Sequence, residues 1–102
     1  MAIASTKEEA EELTAQLAVQ VAAAVAASDL QLASELGTVA LSRGLRHPSF
    51  FNARGLWLQE SGRPQLALED FQKALSLAPQ DVGILNAIGL CYLKLDRVPE
   101  AI

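Results

Sequence analysis

The sequence predicts an all-α chain of stacked antiparallel helix pairs, and three observations carry that expectation. Ala and Leu dominate and β-branched residues are few, a balance that favours helix. Nowhere do apolar and polar residues alternate over a strand's length, and there is no Asn-Gly hairpin turn. Finally, a shift of 34 residues lays part of the chain on itself: Asn52 falls on Asn86, Ala53 on Ala87, Gly55 on Gly89, Leu56 on Leu90, Arg63 on Arg97 and Ala67 on Ala101.

Each element has its own signals. Thr6 with Glu9, or Ser5 with Glu8, fits a capping box, and the acidic run that follows suits the positive end of a helix dipole. Leu13, Leu17, Val21 and Val25 form an apolar stripe, and seven of residues 15–27 are alanine, so another helix can approach closely. Ser28 with Gln31 reads as a second capping box, opening a helix that carries Leu32, Leu36, Val39 and Ala40 and ends near Gly44. His47-Pro48 breaks the chain, because proline disfavours helix in the residue before it and itself suits a first helical turn. A third helix then runs to about Ser61, with Gly62 placed to end it. Pro64 opens a fourth to about Ala78, which Pro79 stops, and Asp81 caps a fifth to about Leu95. Pro99 marks the start of a truncated sixth. The chain reads as a single domain, 1–102: a degenerate first pair (6–47), a well-formed unit (48–81) and an incomplete one (82–102).

The repeat explains why small residues sit inside helices. Two antiparallel helices come closest where both carry a small side chain, and Gly55 and Ala67 supply that contact. Phe71 fills the space beside it, and Ala74 admits the next pair. In the first pair Val21 stands where Gly55 would map. One hairpin cannot bury both faces, so units stack and cover one another.

Gly55, Leu58, Gly62, Ala67, Phe71, Ala74 and Pro79 over 48–81, with Leu85, Gly89, Tyr92 and Ala101 after them, resemble the tetratricopeptide repeat family, a 34-residue helix–turn–helix. The resemblance implies a right-handed α-α superhelix, here of about five helices plus a truncated sixth. It also implies that the first helix of each pair lines a concave groove for a peptide or protein. On this chain that face is Asn52, Leu56, Gln59 and Glu60, then Asn86, Leu90, Leu93 and Lys94. Amides such as Asn52 and Asn86 can donate to and accept from a peptide backbone. Lys94 is the only cation on the face, so no tight carboxylate clamp is expected. Two positions depart from the family pattern. Arg54 stands where leucine is usual, and its reading is a packed stem with the head in water, or a paired charge. Asp96 replaces the turn glycine seen at Gly62, and Asp tolerates left-handed backbone, so the turn is expected to survive.

Composition narrows the function. A net charge of −4 argues against nucleic acid, which needs a basic face. The most apolar run, Leu13–Ala27, is too short and too alanine-rich to span a bilayer, and acids rather than bases precede it. Cys91 is the single cysteine, a usage that suits a reducing, cytoplasmic setting. No catalytic residues, cofactor site or metal ligands are expected. His47 reads as a loop residue and Cys91 as a small buried hydrophobe without a base. The expected function is therefore a non-catalytic protein-interaction scaffold. The fifth helix also presents Leu85, Ile88, Tyr92 and Leu95 with little to cover them; leaving them wet forgoes about 6–12 kcal/mol. That suggests self-association through this open end, or a piece of a longer array that positions an enzyme domain.

Overall fold

A computed structural model of the chain describes the backbone of residues 6–101 and the side chains of residues 6–96. The alternative cap at Ser5, and the side chains of Arg97, Ala101 and Ile102, lie outside those bounds. The described residues form five helices and no strand: α1 (Lys7–Ala26), α2 (Leu30–Ser42), α3 (Pro48–Glu60), α4 (Pro64–Leu77) and α5 (Val82–Ala101).

Local chemistry accounts for the starts. Thr6 Oγ1 accepts from Glu9 N–H (3.0 Å) while Glu9 Oε1 accepts from Thr6 N–H (3.1 Å), the reciprocal box expected. The start of α2 differs from expectation. Asp29, not Ser28, is its cap, accepting from Leu32 N–H at 3.2 Å. Ser28 lies one place earlier, in the left-handed region with φ 61. Pro48 and Pro64 occupy the first turns of α3 and α4, and Asp81 Oδ1 accepts from Ile84 N–H (3.1 Å) at the start of α5.

The 34-residue stride is visible in the turns. Ser28 N–H donates to Val25 O and Asp29 N–H to Ala24 O; one stride later Gly62 N–H donates to Gln59 O and Arg63 N–H to Leu58 O. Gly62 has φ 79, matching Ser28. Glycine adopts that backbone freely, whereas a residue with a Cβ gives up about 1–2 kcal/mol, so the first unit keeps the turn at some cost. The third such turn does not form. Asp96 is helical and α5 runs on through Pro99 to Ala101. The continuous helix forgoes one backbone bond, because Pro99 has no N–H to give Leu95 O. A reversal at Asp96 would instead place a non-glycine residue in left-handed backbone.

Short connections make sequential helices antiparallel neighbours, and each packs on the next. In addition α1 touches α3 and α3 touches α5, whereas α2 and α4 do not touch. The odd-numbered helices thus form the tighter layer of a stack 52 Å long and 21–25 Å across. Two cores fill it. Val21, Ala24, Ala33, Ala40, Leu45, Phe50 and Ala53 form the first. Phe51, Ala67, Phe71, Ala74, Ile84, Ala87 and Cys91 form the second. Phe50 and Phe51, adjacent in sequence, leave α3 toward different cores.

Phe71 fills the space beside Gly55, as expected: the three atoms nearest an added Cβ there all belong to the Phe71 ring, with Cε1 at 2.6 Å. Ala67 is fully buried in the same core as Phe71. One stride earlier the bulk is exchanged: Val21, 1% exposed, stands at the Gly55 place and Gly37 at the Phe71 place. Gly37 has its own reason to lack a side chain, since a Cβ would lie 2.8 Å from the Phe50 carbonyl oxygen of α3.

Candidate functional site

The residues expected on the inner face occupy α3 and α5, but they are not equally available. On α3, Asn52 and Leu56 are half-buried, Glu60 is exposed and Gln59 is buried at 9% exposure. Gln59 is therefore withdrawn from the presented face, and its buried Nε2 has no hydrogen-bond partner among the described residues. Its helix is the middle one of the odd-numbered layer: α3 touches both α1 and α5. On α5, Asn86, Leu90, Leu93 and Lys94 are all exposed. Asn86, Leu90 and Leu93 recur at helical spacing as an exposed stripe beside the buried Ile84, Ala87 and Cys91.

Where α3 and α5 begin, a cavity of about 180 Å³ is lined by His47, Pro48, Ser49, Asn52, Asp81 and Ile84. It brings Asn52 together with a histidine that the sequence suggested was a loop residue. His47 is the cap of α3: its Nδ1 accepts from Ser49 N–H at 3.1 Å and lies 2.8 Å from Ser49 Oγ. Burial holds its pKa below the ordinary histidine value. These bonds use Nδ1 structurally. Asp81 is likewise engaged as the cap of α5, so the His-Ser-Asp grouping reads as two helix starts rather than a nucleophile relay.

The Arg54 expectation resolves toward pairing. Its guanidinium grips Asp70 of α4 with two bonds, Nε to Oδ2 at 2.9 Å and Nη2 to Oδ1 at 3.0 Å. The Asp70 side chain is 6% exposed and that of Arg54 31%. The hydrogen bond to Asp70 raises the Arg54 pKa, with burial pulling against it. The pair joins α3 to α4, so Arg54 is spent on the hairpin. Asp70 went unnoticed in the sequence; the available signal was an acid one helix away, on the partner face of an antiparallel pair, sixteen residues on.

Cys91 is fully buried, and burial pushes its thiol up, with Lys94 pulling partly back. That is the opposite of an activated thiolate. No cluster of three or more His, Cys, Asp or Glu suited to a metal is found among the described residues. No helix among them is long and apolar enough to cross a membrane.

On the other side of α5, the residues expected to self-associate divide. Leu85 and Tyr92 are 45% and 51% exposed, while Ile88 and Leu95 are half-buried.

Comparison with known proteins finds one matching repeat and no individual relative. No curated protein and no solved structure matches the chain. Residues 48–81, which span α3, the Gly62 turn, α4 and the approach to α5, match the sequence model of the tetratricopeptide repeat. That segment, a third of the chain, holds the Gly55–Phe71 contact and the turn whose hydrogen bonds recur in the first pair, and over it the chain is similar to the tetratricopeptide repeat.

Proposed function

We propose that the chain is a non-catalytic scaffold that holds a peptide or protein partner against the face of α3 and α5 carrying Asn52, Leu56, Glu60, Asn86, Leu90, Leu93 and Lys94. The tetratricopeptide repeat suggests protein interaction in general. The observation that carries the finer reading is the composition of the α5 stripe. Leu90 and Leu93 are 51% and 55% exposed, about one and two turns from Asn86, on a helix of the tighter layer. Apolar side chains interleaved with an amide supply both area and backbone hydrogen bonds to an extended ligand.

The test is selection of binders from a displayed peptide library, followed by amide chemical-shift mapping on the chain. Shifts centred on Asn52, Asn86, Leu90 and Leu93, abolished by Leu90→Asp, support the reading. A selected peptide that perturbs other faces and binds the Leu90→Asp variant unchanged refutes it.

A further inference from the structure

Between the α2–α3 connection and the last turns of α4 lies a cavity of about 320 Å³, lined by Arg46, Phe51, Lys73, Ser76 and Leu77. Two of these residues are cations and none is an acid, in a chain whose net charge is −4. Among the described residues neither cation has an ion-pair partner. Lys73 does not close on Glu69, one turn before it. Arg46 also borders a second hollow beside Lys7 and Glu11 of α1, and does not close on Glu11. Arg54 is the contrast, its charge spent on Asp70.

The rest of the lining is mostly apolar. The Phe51 ring lies 6.0 Å from Lys73 Nζ, within reach of a cation–π attraction, and Phe51 is 7% exposed. Leu77, 45% exposed, supplies a second apolar wall. Ser76 offers no donor, because its Oγ–H goes to the Lys73 carbonyl at 2.6 Å.

We propose that this cavity binds an acidic peptide, with a carboxylate side chain held by Arg46 and Lys73 and a neighbouring apolar side chain against Phe51 and Leu77. A carboxylate there meets two unpaired cations and no like charge, and a guanidinium can take it through two parallel bonds. The negative end of the α4 dipole opposes an anion, so the hold rests on the side chains. A small inorganic anion leaves Phe51 and Leu77 uncovered, whereas a carboxylate beside an apolar group uses both halves of the lining. Arg46, Lys73, Ser76 and Leu77 are all exposed, so a peptide backbone can pass over the mouth while its side chains enter. Every wall lies within residues 46–77, and none belongs to the α3–α5 face proposed above.

The probe is the tripeptide Glu-Leu-Glu, acetylated and amidated so that its side chains carry its only charges. It is titrated into the isotope-labelled full 102-residue chain. Saturable amide shifts centred on Arg46, Phe51, Lys73, Ser76 and Leu77 are expected. Gln-Leu-Gln with the same blocked ends binds about tenfold more weakly or worse, and Glu-Gly-Glu about threefold more weakly. Arg46→Gln and Lys73→Gln keep the helical circular dichroism and each weaken binding about threefold to fivefold, the scale of one partly exposed ion pair. Lys94→Gln removes the same charge from α5 and leaves binding unchanged. Equal binding of Gln-Leu-Gln, an equal loss in Lys94→Gln, shifts centred elsewhere or the absence of saturation overturns the proposal. So does inorganic phosphate that binds as tightly as Glu-Leu-Glu, because the cavity then reads charge alone.

Discussion

Gly55 and Phe71 are parts of one contact: the ring occupies the volume a side chain at Gly55 would take, with its Cε1 2.6 Å from that Cβ position. Phe71 is also fully buried at the centre of the second core. Phe71→Ala should therefore leave a cavity against a glycine that cannot fill it, at a cost of about 3–5 kcal/mol. Urea unfolding followed by circular dichroism measures the loss. Phe71→Leu, which keeps most of the volume, should cost less.

In the first pair the bulk has moved from the second helix to the first, with Val21 and Gly37 replacing the glycine and phenylalanine. Gly37 faces backbone, the Phe50 carbonyl, rather than a ring. Gly37→Ala should destabilise the chain by about 1–3 kcal/mol despite alanine's better helix propensity, because α3 would have to move away. Val21→Ala in that background should not restore it, since the clash lies with α3. Unfolding midpoints of the single and double variants check both statements.

Arg54 and Asp70 form a pair whose acid is buried and whose base is about one-third exposed. Arg54→Leu alone leaves the carboxylate in the hairpin without its cation and should cost about 1–3 kcal/mol. Arg54→Leu with Asp70→Leu removes both charges and should recover most of that loss. A double-mutant cycle gives the coupling directly, and additive losses would show that the two residues act separately.

His47 accepts hydrogen bonds at Nδ1 and is desolvated, so the folded chain favours its neutral form and holds its pKa below the ordinary 6.5. As pH falls below the unfolded value, the unfolded state binds the proton first, and stability is lost until pH passes the folded pKa. Stability measured by urea unfolding should fall between neutral pH and about pH 5, in the range where histidine titrates. His47→Asn keeps a capping acceptor that does not titrate there, and should flatten this part of the profile.

The helices of the middle unit are legible in the sequence because each boundary carries an independent signal: Pro48, Gly62, Pro64, Pro79 and Asp81 act through local backbone chemistry. The start of α2 is ambiguous because Ser28 and Asp29 are both good caps, and only the turn's left-handed residue decides between them. Placing Ser28 on Gly62 by the 34-residue stride resolves the choice. The end of α5 misleads because a proline within a helical pattern signals a break, whereas here the helix continues past Pro99 to Ala101. The Arg54–Asp70 pair and the burial of Gln59 depend on which helix lies opposite, which periodicity alone does not contain. The stripe of Asn86, Leu90 and Leu93 is legible as an exposed face, since nothing in α5's packed register requires those positions.

The glycines one stride apart do the same work only where their partner is present. Gly55 has Phe71 against it and Gly89 has nothing within 4 Å. Equilibrium urea unfolding of Gly55→Ala and Gly89→Ala side by side measures this directly. The expected result is opposite signs: a loss of about 1–3 kcal/mol at Gly55 from overpacking, and a gain of about 0.5–1 kcal/mol at Gly89 from helix propensity alone. Changes of the same sign and size at both sites would contradict the notch-and-ring account of the fold.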